Sequence, residues 1–320
     1  VSEAPPGLGI VIPTHDRRDL VEGLLQALAA QTVPAASFEV VLVCDGCTDD
    51  TAEVAMALVG PGGAAEGLLL SVVEQMRSGA AAARNRGMGA TTAPVIVFLD
   101  DDMVPEPGCL AAHAATHRAH PGALVLGHMP VHERSPRSFL TVGLARWAER
   151  RHDRLSRPGT TPRATDVLTG HLSISRSGFG RVGGFDQDFT AGGTFGGEDI
   201  EFGYRAVEAG VPLVYAGDAV AGQVFIKTFR ALAQDIREGA LADAAVAAKH
   251  PEAPHSDDAS AAFKFARRFP ALAKLVTAPL VALLDRAARR GAVGRDWEAL
   301  HAWARSLLSG IALSGRPPRP

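Results

Sequence analysis

The chain has 320 residues, 47% hydrophobic and 21% charged, with a formal net charge of −3. That composition supplies a full core and excludes a disordered chain, and the near-neutral balance gives no general reason to expect nucleic acid as a partner. Three cysteines, Cys44, Cys47 and Cys109, are too few for a disulfide scaffold and point to a reducing, cytoplasmic setting.

Taken in chain order, four apolar runs at 8–13, 39–44, 68–74 and 95–99 read as strands buried on both faces. Each precedes a stretch with helical spacing, at 17–30, 49–59, 79–90 and 106–119. The alternation predicts an α/β fold: a mostly parallel sheet with helices on both faces. The rhythm is lost over 128–165, where one helix is expected at 138–153. Eight arginines stand against three acids in 131–165, so this segment either closes over an anionic group or is a solvated loop. A strand is expected at His171–Ser175, a helix at 198–209 and a strand at 212–216. From Thr228 the chain reads as a helical C-terminal extension, broken near Pro251–Pro254, Pro270 and Gly291–Gly294, with 315–320 fraying.

Charge is uneven. Residues 261–320 hold eleven Lys/Arg against three acids. Phe263, Phe265, Phe269, Leu272, Leu275 and Val276 recur among those cations at near-helical spacing. Packing on the acidic body is the commoner fate of such a helix; peripheral contact with the cytoplasmic face of a membrane and a homodimer contact are the other two readings. The apolar run Leu275 to Leu284 is ten residues, about half of the ~20 that span a bilayer.

Ligands of open parallel sheets bind beyond the carboxyl ends of the strands. Three polar groups fall there: Thr14-His15-Asp16, Asp45-Gly46 and Asp100-Asp101-Asp102. Three adjacent carboxylates repel one another unless a cation or donors neutralise them, and a hard divalent ion, Mn2+ or Mg2+, takes such oxygen ligands. The plainer reading is an acidic turn before the next helix. His113, His117 and His120 share a helix face and read as solvated. Cys44-Asp-Gly-Cys47 has no second pair to make a zinc site and reads as small semi-buried side chains.

Six segments together resemble the nucleotide-sugar-dependent glycosyltransferases of family 2, which have the GT-A (Rossmann-like) fold. These are Ile10-Val-Ile-Pro-Thr-His-Asp-Arg, Val43-Cys-Asp-Gly-Cys-Thr-Asp-Asp-Thr, Gly79-Ala-Ala-Ala-Ala-Arg-Asn-Arg-Gly, Phe98-Leu-Asp-Asp-Asp, Gly183-Gly-Phe-Asp and Gly197-Glu-Asp-Ile-Glu-Phe-Gly-Tyr-Arg. The resemblance implies metal-dependent, inverting transfer of a sugar from a nucleoside diphosphate donor, by default a UDP-sugar, to a hydroxyl acceptor. It implies a nucleotide-sugar-binding half at 1–105, an acceptor half at 106–230 and the helical extension at 231–320. Thr14, Asp16 and Asp45 then serve the nucleobase, and Arg84 approaches the nucleotide. Asp100 and Asp101 contact ribose and the metal shell, Asp102 coordinates the metal, and Asp199, beside Glu198, is the catalytic base. Two positions depart from the pattern. Gln223 stands where a ligating His is expected, and His171 replaces an Asn, placed to touch donor or acceptor or to supply the missing ligand. A catalytically silent sugar-nucleotide binder and, less favoured, a sugar nucleotidyltransferase are the alternatives.

Overall fold

Every residue of β1 (Leu8–Thr14) is buried. Side chains alternate across a strand, so Ile10 and Ile12 enter one core and Val11 the other. The same division holds in β2 (Phe38–Asp45), with Val40 and Leu42 against Val41 and Val43, and in β4 (Val95–Leu99), with Val97 and Leu99 against Ile96 and Phe98. Continuous apolar runs are what a sheet covered on both faces requires. Residues 7–251 and 260–314 are described by the computed structural model; the expected fraying of 315–320 and most of the Pro251–Pro254 break lie outside them.

With β3 (Leu69–Gln75), β5 (Met103–Pro105), β6 (Leu124–His128), β7 (His171–Ser175) and β8 (Leu213–Gln223), the strands order as β3-β2-β1-β4-β7-β6-β8-β5. The pairs from β3 through β4 are parallel, β7 is antiparallel to both neighbours, β6 and β8 are parallel, and β5 closes antiparallel on β8. The sheet is therefore parallel through its first half and mixed through its second. β5, β6 and the second half of β8 were not expected from the sequence.

Helices α1 (Arg18–Ala29), α2 (Thr51–Val59) and α4 (Cys109–Ala119) cover one face, as Val21, Leu24, Ala55 and Leu110 show. On the other lie α3 (Ala80–Ala90), α6 (Arg176–Val182) and α7 (Glu198–Glu208), through Ala83, Met88, Phe179 and Phe202. Phe98, Phe179, Phe185 and Phe202 form a ring cluster, with the Phe185–Phe202 centroids 4.4 Å apart.

The chain divides into two compact units. The sheet unit comprises 7–132, 148–194 and 198–224; the helical unit comprises 133–147, 195–197 and 225–314. Helix α5 (Phe139–Leu155) changes unit after Trp147. The helical unit has its own core, where Phe139 packs with residues of α8 (Phe229–Lys249), α9 (Ala261–Arg268), α10 (Pro270–Arg289) and α11 (Arg295–Ala312). Pro270 occupies the first turn of α10, where its missing N–H has no helical partner to lose. Among the described residues, no helix is long and apolar enough to cross a membrane.

Candidate active site

The turn after β4 carries Asp100, Asp101 and Asp102, and the three carboxylates diverge. Asp101 turns inward: it accepts from Thr14 Oγ1 at 2.8 Å and from Arg17 at 2.9 Å and is 5% exposed. Burial pushes its carboxyl up against the opposing pull of Arg17. The expectation placed Asp101 at ribose and Thr14 at the nucleobase; here the two buried side chains bond each other, with Arg17 on the second Asp101 oxygen. Arg17, the last residue of the first quoted segment, had been given no role.

Asp100 is half-exposed and accepts from Arg84 at 2.7 Å. Its backbone N–H donates to Gly170 O at 3.1 Å, tying the acidic turn to the residue before β7. Asp102 accepts from Gln223 Nε2 at 3.2 Å, so the position where an imidazole was expected does lie against the acidic triplet. The other oxygen of Asp102, Oδ1, is buried without a hydrogen-bond partner. Burial, then the charges of Asp100 and Asp101, push its carboxyl up to about 7. A buried carboxylate oxygen without a donor is costly. The residues thus fit a divalent cation held by Asp102 and Asp100, with a neutral amide in place of imidazole.

Arg84 lies inside α3, 3% exposed, and bridges two carboxylates: Asp100 and, at 3.0 Å, Glu198 Oε1 at the start of α7. A Gly197-Glu198 entry brings that helix start to the site, with Gly197 at φ 93°, a conformation only glycine adopts freely. Asp199 follows, half-buried, its Oδ1 accepting from the Ile200 N–H at 2.7 Å. Burial, then the neighbouring Glu198, push its carboxyl up to about 7. An acid poised there is suited to taking a proton near neutrality.

Asp45 ends β2 and organises the start of α3. It accepts from Gln75 Nε2, Ser78 N and Gly79 N at 2.7–2.8 Å. A carboxylate has about four acceptor sites, so one remains for a ligand. At Gly79 (φ 99°) a Cβ would lie 1.8 Å from Thr190 O, and Thr190 Oγ1 accepts from Ala81 N at 2.9 Å. Thr190 had no signal in the sequence. Asp16, at φ 51°, clips the neighbouring loop by accepting from Thr48 N at 2.6 Å and Asp49 N at 3.2 Å.

His171 requires correction. Period-2 alternation aims it and Ser173 at α4, away from the phenylalanine cluster, and it is 1% exposed. Buried against α4, its ring is not presented to a sugar donor or an acceptor hydroxyl. The histidines of α4 are corrected with it: His113 and His117 are buried, and only His120 is exposed. They form one chain, His117 Nε2 to Ser173 Oγ, Ser173 Oγ to His113 Nδ1 and His113 Nε2 to His171 Nε2, each at 2.8 Å, ending at 3.2 Å from His171 Nδ1 to His128 O. A carbonyl only accepts, so His171 donates from Nδ1 and accepts at Nε2; His113 then donates from Nε2, Ser173 donates to His113, and His117 donates to Ser173. All three rings are neutral. Burial holds His117 and His171 down at about 4 and His113 well below its ordinary value. Cys109 Sγ lies 3.4 Å from His171 Nε2. These groups could be taken for a metal centre. The two Nε2 atoms, however, are at hydrogen-bond distance, nearer than the about 3.3 Å expected of two imidazoles on one tetrahedral zinc.

Cys44 is buried and its thiol is pushed up to about 12, chiefly by burial, so no reactive thiolate resides there. The arginines of 131–165 are partly structural. Arg151, buried, donates to Asp166 O at 2.8 Å; Arg154 pairs with Asp166, and Arg146 with Glu298.

The model of "Glycosyl transferase family 2" matches residues 9–180, and that of the "N-terminal domain of galactosyltransferase" matches 149–220. The chain is 33% identical over 245 residues to a validoxylamine A glucosyltransferase of Streptomyces hygroscopicus subsp. jinggangensis (strain 5008), covering 67% of this chain and 54% of that protein. It is 25% identical over 232 residues to the glycosyltransferase AglE of Haloferax volcanii, covering 70% and 71%. It thus spans about half the length of the validoxylamine A glucosyltransferases it matches. Among solved structures, the mannosyltransferase PcManGT from Pyrobaculum calidifontis, in complex with GDP-Man and Mn2+, superposes with a TM-score of 0.65 at 20% identity, covering 97% of this chain and 87% of that one. Residues 1–349 of S. aureus TarS in complex with UDP give 0.58 at 16%, covering 95% and 89%. With the family model spanning more than half of its length and the GT-A architecture behind it, this chain belongs to glycosyl transferase family 2.

Proposed function

We propose that the protein transfers a sugar, with inversion, from a nucleoside diphosphate sugar to a hydroxyl acceptor, using a divalent cation. The observation that carries this reading is Asp102 Oδ1, buried and without a donor beside two further carboxylates. Mn2+ or Mg2+ held by Asp102 and Asp100 would supply charge stabilisation to the departing diphosphate. The chain's own residues supply the remainder. Asp45 offers its last acceptor site to the base, and Asp16 and Arg17 order the loop beneath it. Arg84 fixes Asp100 toward the ribose and metal shell while holding Glu198. Asp199 removes the proton of the acceptor hydroxyl as the oxygen attacks the anomeric carbon from the face opposite the leaving diphosphate. Sheet-unit residues carry all of these roles, whereas the halves expected at 1–105 and 106–230 remain a proposal about which substrate each serves.

The base of the donor stays open between a uridine default and the others, because the solved relatives carry both GDP-Man and UDP. Gln223 favours one second reading, a silent sugar-nucleotide binder, since an amide is a weaker ligand than imidazole. Calorimetric titration with UDP, GDP, dTDP and CDP, with and without Mn2+, followed by a donor-hydrolysis and transfer assay, tests both. Metal-dependent binding of one nucleotide with turnover supports transfer; binding without turnover leaves the silent reading; no binding removes the donor site.

A further inference from the structure

Helix α10 carries apolar side chains on two faces, about 100° apart around its axis. One side, with Ala273, Leu280 and Leu284, is buried in the core of the helical unit. The second carries Leu272, Leu275, Val276, Pro279 and Leu283, spaced as a single helical stripe. It stands open: Leu275 is 72% exposed, Leu272 53% and Leu283 48%. Phe265 and Phe269, just before it, are also exposed, their rings 5.7 Å apart. Isolated exposed leucines are ordinary, but a continuous stripe of large apolar side chains marks a surface made to be covered.

Its charge indicates by what. Lys264, Arg268, Lys274, Arg286 and Arg290 are exposed on α9, on α10 and just beyond it. The single acid between residues 260 and 295, Asp285, is 1% exposed and bound to Arg289 at 2.5 Å, so among the described residues this stretch shows no exposed acid. Two copies meeting through this face would bring like charges together. A polyanion without an apolar phase would leave the leucines in water. Apolar side chains rimmed by lysine and arginine match the acyl boundary and phosphates of a lipid surface, and no described helix is suited to crossing it.

We propose that the α9–α10 face docks peripherally on an anionic lipid bilayer, with Leu272, Leu275 and Leu283 in the acyl boundary and Lys264, Arg268 and Arg286 at the phosphates. The inference does not depend on the donor-site reading. The test is sedimentation of the whole chain with phosphatidylglycerol–phosphatidylcholine vesicles and with phosphatidylcholine alone. The expected result is binding to the anionic vesicles, weakened by added salt, and little binding to the neutral ones. Leu275→Asp with Leu283→Asp abolishes binding while leaving the circular dichroism spectrum unchanged. Lys264→Gln, Arg268→Gln and Arg286→Gln lower it by about five-fold per cation. Absence of binding to anionic vesicles overturns the proposal, as does binding that neither set of substitutions alters. A dimer in sedimentation velocity that Leu275→Asp with Leu283→Asp dissociates, without vesicle binding, assigns the face to a second copy instead.

Discussion

The Arg84 guanidinium donates to Glu198 across 3.0 Å from inside the sheet unit, with its other terminal nitrogen 2.7 Å from Asp100. One buried cation thereby joins the acidic turn after β4 to the start of α7, the two places that supply the proposed metal ligands and base. Removing one partner of a buried ion pair leaves uncompensated charge and costs about 3–5 kcal/mol. Arg84→Gln is therefore expected to lower unfolding free energy by about that amount in urea denaturation. Arg84→Lys, which cannot fork between two carboxylates, recovers only part of it.

Asp199→Asn is expected to lower turnover by about 10²–10⁴-fold while leaving nucleotide affinity nearly unchanged. With Asp199 pushed up to about 7, the unprotonated form that accepts a proton gains population as pH rises through that value. The wild-type rate should accordingly climb between pH 6 and 8, measured as kcat on saturating donor. A variant that keeps this climb removes Asp199 from the role of base.

Asp102→Asn and Gln223→His act in opposite directions on the cation. The first removes the unsatisfied buried oxygen's charge and is expected to weaken Mn2+-supported nucleotide binding at least roughly ten-fold. The second places imidazole against Asp102 and is expected to tighten Mn2+ by roughly ten-fold. Calorimetry at fixed nucleotide and varied Mn2+ reads both.

Ser173→Ala breaks the imidazole chain in the middle, leaving His113 Nδ1 and His117 Nε2 buried without partners. Each unmet group costs about 1–3 kcal/mol, so the variant should unfold at clearly lower urea.

The same chain gives a pH dependence of stability. His117 and His171 fall to about 4 in the fold from an ordinary 6.5, so the unfolded chain binds more protons between those values. Their contribution is complete above 6.5 and is lost as pH falls toward about 4. Asp199 works in reverse: raised from 3.8 to about 7, it contributes below 3.8 and loses that contribution as pH rises through 7. Comparison with a variant isolates the histidines. His117→Gln should lose less stability than the wild type between pH 7 and 5; equal losses would sink the assignment.

The parallel half of the sheet was legible because strands covered on both faces need uninterrupted apolar runs, which β1, β2 and β4 have, while the half-buried edge strand β3 was read from its 68–73 stretch. β5 was hidden, as three residues after an acidic triplet carry no period. Residues 217–223 of β8 are small and polar enough to read as loop, and only pairing with β5 and β6 makes them strand. At the site, chemistry was easier to read than direction. The motif positions Asp100, Asp102, Arg84, Glu198 and Gln223 do meet, yet Asp101 and Thr14 point inward and His171 points at α4. The histidine spacing on α4 could not disclose burial, because the facing residues, His171 and Ser173, come from a strand far along the chain.

The bond from Asp100 N to Gly170 O has a consequence for the order in which the molecule is made. β1 to β4 pair among themselves, and Thr14, Arg17 and Arg84 can already hold Asp101 and Asp100, whereas the backbone tie from Asp100 to Gly170 forms only after β7 inserts antiparallel beside β4. A chain emerging from its N-terminus can thus assemble the nucleotide-facing strands early, through comparatively local contacts. The turn's remaining links, to Gly170, to Glu198 through Arg84 and to Gln223, wait for β7, α7 and β8, whose closure spans long stretches of sequence and is correspondingly slow. A nascent chain that ends before β7 therefore carries the acidic residues without the Gly170, Glu198 and Gln223 partners that complete the site.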